Sequence, residues 1–162
     1  MSTLIYLDTN VYSRTFDDQT RPDIKEEADA FLEIIQAVKT KRVTLLSSDI
    51  LVFEVSNILN DDKRAEVEDY LSLCTEHIDS SEEVLRIGKI IVSNCKAKPR
   101  DALHIASGVL GKARYFLSCD KKVTQMRRAR CYRRLLRSFR SDYFSVMNPI
   151  RFVDKMKKGE LE

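Results

Sequence analysis

The feature that most constrains this chain is its alternation of short apolar runs, two of them leading directly to an aspartate, with longer amphipathic stretches. Thr3 to Leu7 is aliphatic, β-branched and aromatic, and closes at Asp8, followed by Thr9 and Asn10. Such a run reads as a buried strand entering a turn. Val43 to Ser47 repeats the pattern, as does Tyr115 to Ser118 with Asp120 just beyond; Phe144 to Met147 is a candidate last strand and Glu76 to Asp79 a shorter candidate. Between them, Ile24 to Lys41 places Ala28, Phe31, Leu32, Ile35 and Val38 three and four residues apart, which predicts an amphipathic helix. Ser48 or Asp49 can cap a helix from Ile50 to Leu59, a further helix is expected over Lys63 to Leu73, and Ser80 or Ser81 can cap one reaching toward Cys95. Pro99 opens a helix over Arg100 to Leu110 that Gly111 stops, and Pro149 starts a final helix to about Lys158. This alternation predicts an α/β fold, a parallel sheet with helices on both faces.

A chain of 162 residues suits one domain that buries its own core, and 43% hydrophobic with 33% charged residues excludes a disordered polyelectrolyte. Cys74, Cys95, Cys119 and Cys131 lie far apart, without the paired spacing of a structural zinc site, and read as reduced cysteines of a cytoplasmic protein. The first residues lack a basic stretch before a long apolar run, and no stretch is long enough for a membrane span, so neither export nor a membrane is expected. Charge is unevenly placed. Residues 1–120 carry 15 Lys/Arg against 21 Asp/Glu, whereas residues 121–158 carry 13 against 2. The basic block can attract a polyanion or serve as a solvated helix face.

Four acids draw attention. Asp8 and Asp120 fall at the carboxyl ends of predicted strands, where parallel sheets form their ligand crevice. Asp101 sits in a first helical turn, and Glu54 interrupts the apolar stretch Ile50-Leu-Val-Phe-Glu-Val. Each also has a structural explanation: Asp8 and Asp120 as helix caps, Asp101 as a favourable dipole partner, Glu54 at a solvent edge. Brought together, four carboxylates repel unless protons or a cation intervene, and an all-oxygen donor set suits Mg²⁺ or Mn²⁺. Such an ion can activate water for phosphodiester hydrolysis.

In order, Tyr6-Leu-Asp-Thr-Asn10, Ser47-Ser-Asp-Ile-Leu-Val-Phe-Glu54, Lys98-Pro-Arg-Asp-Ala-Leu-His-Ile-Ala106 and Phe116-Leu-Ser-Cys-Asp120 resemble the motifs of the PIN-domain family, in particular its VapC-type toxin ribonucleases. The resemblance implies a single-domain three-layer α/β/α sandwich with a central parallel sheet over residues 1–158, leaving 159–162 as a short tail. It also implies Mg²⁺- or Mn²⁺-dependent endoribonuclease activity leaving 5′-phosphate and 3′-hydroxyl ends. Asp8, Glu54, Asp101 and Asp120 match the family's acidic quartet as catalytic and metal-binding residues, with Asp8 and Asp101 foremost as ligands. Asn10 and Ser118 match its supporting polar positions. A toxin of this group implies an RNA substrate, a homodimer, and an antitoxin partner that inserts basic or aromatic side chains into the acidic pocket.

His104 lies three residues after Asp101 on one helical face and fits the family's Asp-x-x-His pattern; it is expected to be a core histidine making one hydrogen bond rather than a general base. His77 has no supporting context. The departure from the family is an Arg-rich insertion at about 121–143, expected to be one helix whose stripe runs from Val123 through Tyr132 and Leu136 to Tyr143. Arg127, Arg128, Arg130 and Arg134 are its candidate RNA contacts; the competing reading is a surface helix docked on its own domain. Two other functions compete with a toxin nuclease: a noncatalytic RNA- or protein-binding module and a housekeeping RNA-processing enzyme. A phosphatase of the haloacid dehalogenase type would need Asp-x-Asp where this chain has Asp8-Thr-Asn10.

Overall fold

The computed structural model describes residues 2–140 and 142–162. Five strands form one sheet: β1 (Thr3–Leu7), β2 (Val43–Ser48), β3 (Glu76–Ile78), β4 (Tyr115–Leu117) and β5 (Ser145–Met147). Their order is β3-β2-β1-β4-β5, and every pairing is parallel. All five expected strands are present, including the short one at Glu76. β1 is central, with Ile5 opposite both Leu45 and Tyr115, so both its edges are paired, and Ile5, Tyr6 and Leu7 are buried on the two faces of the sheet.

The helices are α1 (Thr9–Tyr12), α2 (Pro22–Lys39), α3 (Asp49–Ser56), α4 (Asp61–Leu71), α5 (Glu82–Cys95), α6 (Pro99–Leu110), α7 (Lys121–Thr124), α8 (Met126–Leu136) and α9 (Pro149–Lys157), with a 3-10 turn at Arg14–Phe16. Side-chain alternation along β1 and β4 separates the layers. Tyr115 meets Phe152 of α9 at 5.1 Å between ring centroids, and α9 packs on α2. On the opposite face Tyr6 stacks on Phe116 at 5.3 Å, and both contact the space over Gly108 of α6, which packs on α5. The result is the expected three-layer α/β/α sandwich. No described helix is long and apolar enough to cross a membrane.

Local chemistry explains most element ends. Ser48, Asn60, Ser81 and Asn148 each accept a backbone N–H through their side chains at the starts of α3, α4, α5 and α9. Gly111 does follow α6, but not for its torsional freedom: its φ is −78°, and the left-handed turn belongs to Lys112 at φ 66°. Glycine is required because a Cβ there would stand 2.3 Å from Leu46 Cδ2.

Three sequence expectations change. The helix expected over the whole Arg-rich stretch is broken at Gln125, whose ψ of 144° is extended, giving α7 and α8; Phe139 and Tyr143 lie beyond α8. Arg140 is no surface charge either: its guanidinium donates to Ala113 O at 2.6 Å and pairs with Asp142 at 2.6 Å, tying the segment to the end of α6.

The cysteines are the second correction: Cys95 and Cys131 form a disulfide joining the end of α5 to α8, leaving Cys74 and Cys119 as thiols. Their separation of 36 residues carries no local sequence signal, and only the packing of α8 on α5 brings them together. His77 is the third: Nδ1 lies 2.6 Å from Ser47 Oγ and Nε2 lies 2.8 Å from Asp49 Oδ1, so the ring links β2, β3 and the start of α3.

Candidate active site

Because β1 and β4 run parallel, their carboxyl ends deliver Asp8 and Ser118 to the same edge. The Asp8 N–H donates to Leu117 O at 2.9 Å, extending the ladder one residue past β1. Asp8 itself is only 5% exposed. Its Oδ1 accepts the Thr9 N–H at 2.8 Å; its Oδ2 accepts the Ser118 hydroxyl at 2.9 Å and the Asn10 amide at 3.4 Å. Asn10 in turn donates to Ser118 Oγ at 3.1 Å and accepts the Cys119 N–H at 2.9 Å. Asn10 and Ser118 therefore fix the rotamer of Asp8 and the path of the chain leaving β4.

Glu54 reaches the same place from α3. Its Oε1 accepts from the Thr9 hydroxyl and from His104 Nε2, the latter at 2.6 Å, while its Oε2 pairs with Arg100 at 3.1 Å. The solvent-edge explanation for Glu54 fails, since the side chain is 11% exposed and turned inward. His104 projects from α6, almost wholly buried, with Nδ1 2.6 Å from the Tyr6 hydroxyl, which lies 2.6 Å from Ser48 Oγ. Both ring nitrogens are engaged, Nδ1 with the Tyr6 hydroxyl and Nε2 with Glu54, and the tautomer sets which partner donates. His104 is thus a core histidine with two hydrogen bonds, and neither ring nitrogen is left to act as a base.

The tight cluster is Asp8, Glu54 and His104, whose ligand-capable atoms lie within 4.8 Å of one another. Asp101 and Asp120 stand outside it and act through their field. Burial raises the pKa of Asp8 against the opposing effects of His104 and Ser118. Burial also raises Asp101, reinforced by the charges of Asp8 and Asp120. For Glu54, burial is outweighed by the hydrogen bond and charge of His104, by Thr9 and by Arg100, so it lies below the ordinary carboxylate range. Asp120 caps α7, accepting the Lys122 N–H at 2.9 Å, while its own N–H donates to Ser118 Oγ. The capping explanation is correct for Asp120, yet it leaves that carboxylate in the field at Asp101.

The residues present fit a hard divalent cation. Asp8, buried, and Asp101, partly buried, both bind a proton more tightly than usual, so together with Glu54 they form an electrostatic well that a dication would fill, and the donors are oxygens with one imidazole nearby. A further polar group faces this region from α8. The Tyr132 hydroxyl is buried without a hydrogen-bond partner, and burial pushes its pKa up to about 12, with Arg128 lowering it and Asp101 and Asp120 raising it. Sequence reasoning missed Tyr6, Thr9, Arg100 and Tyr132. Only Tyr6 had a local cue, a hydroxyl inside an otherwise apolar strand.

The fold and the site together define a class: parallel-sheet α/β proteins whose ligand crevice, at the carboxyl edge of the strands, is walled by acids. The family model described as the PIN domain matches residues 5–129, and the chain belongs to that family. The match ends inside α8. Among solved structures, a chain in the crystal structure of VapBC2 from Rickettsia felis bound to a DNA fragment from their promoter superposes with a TM-score of 0.54. The two are 15% identical, and the match covers 75% of this chain and 91% of that one. That likeness is one of fold. No curated protein matches the chain.

Proposed function

We propose that this protein is a divalent-metal-dependent endoribonuclease, using Mg²⁺ or Mn²⁺, and the toxin of a type II toxin–antitoxin pair in the cytoplasm. The observation that carries the nuclease reading is the convergence of Asp8 and Glu54 with the field of Asp101 and Asp120 at one sheet edge. Asp8 and Asp101 are the foremost candidates to hold the ion, with Asp120 beside them. Glu54 already accepts from three groups, so it contributes by orienting water or by exchanging Arg100 for the cation. A bound dication supplies positive charge that acidifies water and neutralises phosphate oxygens. The chain's own residues fix the rest: Ser118 and Asn10 hold Asp8, and Thr9 with His104 holds Glu54.

The test is cleavage of RNA and single-stranded DNA across a metal titration, beside Asp8→Asn and Asp101→Asn. Metal-dependent RNA cleavage is expected from the parent, and on the order of a hundredfold or greater loss in each variant. Near-normal cleavage by Asp101→Asn would reject the assignment. Folded, metal-binding protein without cleavage would favour the noncatalytic module.

The toxin role rests on the resemblance of motifs and on the fold shared with a chain of a VapBC2 structure. An antitoxin inserting basic side chains would find complementary charge in the acidic pocket, and growth arrest on expression, relieved by a co-expressed antitoxin, is its test. Growth unaffected by active enzyme would favour RNA processing. A homodimer is supported by Val52, Phe53 and Leu85, large apolar side chains left exposed on α3 and α5. Sedimentation of the parent beside Phe53→Glu should read a dimer and a monomer.

A further inference from the structure

The Arg-rich segment does not present its charges evenly. A cavity of about 600 Å³ opens between the end of α5 and α8, with Lys96, Arg127, Arg128 and Arg134 around it, Leu135 beside them and the Cys95–Cys131 disulfide in its wall. No acid lines it. Elsewhere among the described residues Arg14, Arg21, Arg64, Arg86, Arg100 and Arg140 each pair with a carboxylate, while Arg42, Arg114 and Arg151 stand singly without one. Among the described residues, no such pair neutralises the arginines of α8 or Lys96. In a chain with 25 acids, Lys96, Arg127, Arg128 and Arg134 around one acid-free cleft make a concentrated positive site.

We propose that this cleft is a phosphate-binding subsite for an RNA strand whose cleaved bond lies at the acidic site, with the disulfide holding its two walls together. Planar guanidiniums grip phosphate oxygens in bidentate fashion, and Lys96 adds a point charge from the opposite wall. Two segments of the chain relate the cleft to the acidic site. Lys96 begins the three-residue connection from α5 to α6, which carries Asp101 in its first turn. Arg128 lines the cleft and also lies beside Tyr132, which stands in the field of Asp101 and Asp120. An acidic protein partner is the less suited occupant, because Leu135 is the one large apolar side chain in the lining that could seat an anchor. The structure also divides the arginines that the sequence groups: Arg127, Arg128 and Arg134 face the cleft, while Arg130 does not.

This inference rests on the RNA-cleaving reading above, and its test separates the two. Binding of a fluorescein-labelled single-stranded RNA is measured by anisotropy in EDTA across a salt series, and cleavage of the same RNA is measured with Mg²⁺. The variants are Lys96→Gln/Arg127→Gln/Arg134→Gln and, as its surface counterpart, Arg130→Gln/Arg133→Gln, each verified as folded by circular dichroism. Arg128 is left intact because it adjoins Tyr132. The cleft variant should lose about tenfold or more in affinity and about 2 in the magnitude of its salt slope, with the surface variant near the parent. Arg127→Lys/Arg134→Lys should recover much of the loss in charge-dependent affinity. Equal loss in both glutamine variants, or in neither, while the parent binds and cleaves RNA, would overturn the cleft and leave the nuclease reading standing. Cleft-dependent binding without metal-dependent cleavage would uphold the cleft and reject the nuclease. Polyglutamate displacing the RNA at equal charge concentration would overturn the assignment to nucleic acid.

Discussion

His104 Nε2 stands 2.6 Å from Glu54 Oε1, and the same ring holds the Tyr6 hydroxyl at 2.6 Å through Nδ1, so one histidine couples the central strand to the acid of α3. Its removal takes one hydrogen bond from Glu54, which keeps Thr9 and Arg100, and one from the Tyr6 hydroxyl, which keeps Ser48. His104→Ala should cost about 2–4 kcal/mol from lost packing and the two lost hydrogen bonds, read by chemical denaturation. Tyr6→Phe keeps the ring volume and should cost about 1–3 kcal/mol, because buried Nδ1 and Ser48 both lose their hydroxyl partner. An unchanged denaturation midpoint in both would remove the network from the account of the site.

Asp101 supplies a signed pH prediction. Burial and the charges of Asp8 and Asp120 raise its folded pKa, so the folded chain holds this proton more tightly than the unfolded chain does. Its contribution to stability therefore falls as pH rises from the ordinary carboxylate range through the raised value, and above that the ionised group opposes folding. Asp101→Asn should raise the Tm of metal-free protein at neutral pH and flatten this acid-side slope. Mg²⁺ or Mn²⁺ should raise the Tm of the parent by neutralising the cluster, and should raise that of Asp101→Asn much less. Glu54 has the opposite sign: its folded pKa is depressed, so its contribution is present above the unfolded value and lost as pH falls through the folded one.

Glu27 is a buried acid away from the candidate site, 4% exposed, with Oε1 accepting from Arg14 at 2.7 Å and 3.0 Å and Oε2 from Asn148. It ties α2 to the 3-10 turn and to the cap of α9. Arg14→Ala should cost about 3–5 kcal/mol, since it leaves the charge buried without its cation. A loss of under about 1 kcal/mol would mean the pair is solvated like a surface bridge.

Gly111→Ala places a methyl group against Leu46 Cδ2 at 2.3 Å, in the sheet beneath α6. The buried Leu46 side chain must change rotamer or the helix end must shift, at about 1–3 kcal/mol. Adding Leu46→Val in the same chain should recover part of that loss; strictly additive losses would show that the two side chains do not meet.

The disulfide predicts a chemical pattern. Alkylation of the denatured, unreduced protein should label Cys74 and Cys119, with Cys95 and Cys131 labelled only after a dithiol reductant. Cys131→Ser should cost about 3–4 kcal/mol, the loop-closure entropy expected for a separation of 36 residues. Four labelled cysteines without reductant would restore the reduced reading.

By itself the sequence determined the sandwich and the candidate acids. Strand runs ending at Asp8 and Asp120, and helices capped by Ser48 and Ser81, are local patterns whose period and punctuation survive in the fold. Tertiary structure alone decided how the acids stand toward one another. His104 joins Asp8 and Glu54 at close range while Asp101 and Asp120 act from outside, because four separate segments meet at one sheet edge. The same holds for Cys95 with Cys131, for Glu27 with Arg14 and Asn148, and for Lys96 facing the arginines of α8. These are contacts between residues far apart in the chain, set by packing geometry, and no local propensity encodes them.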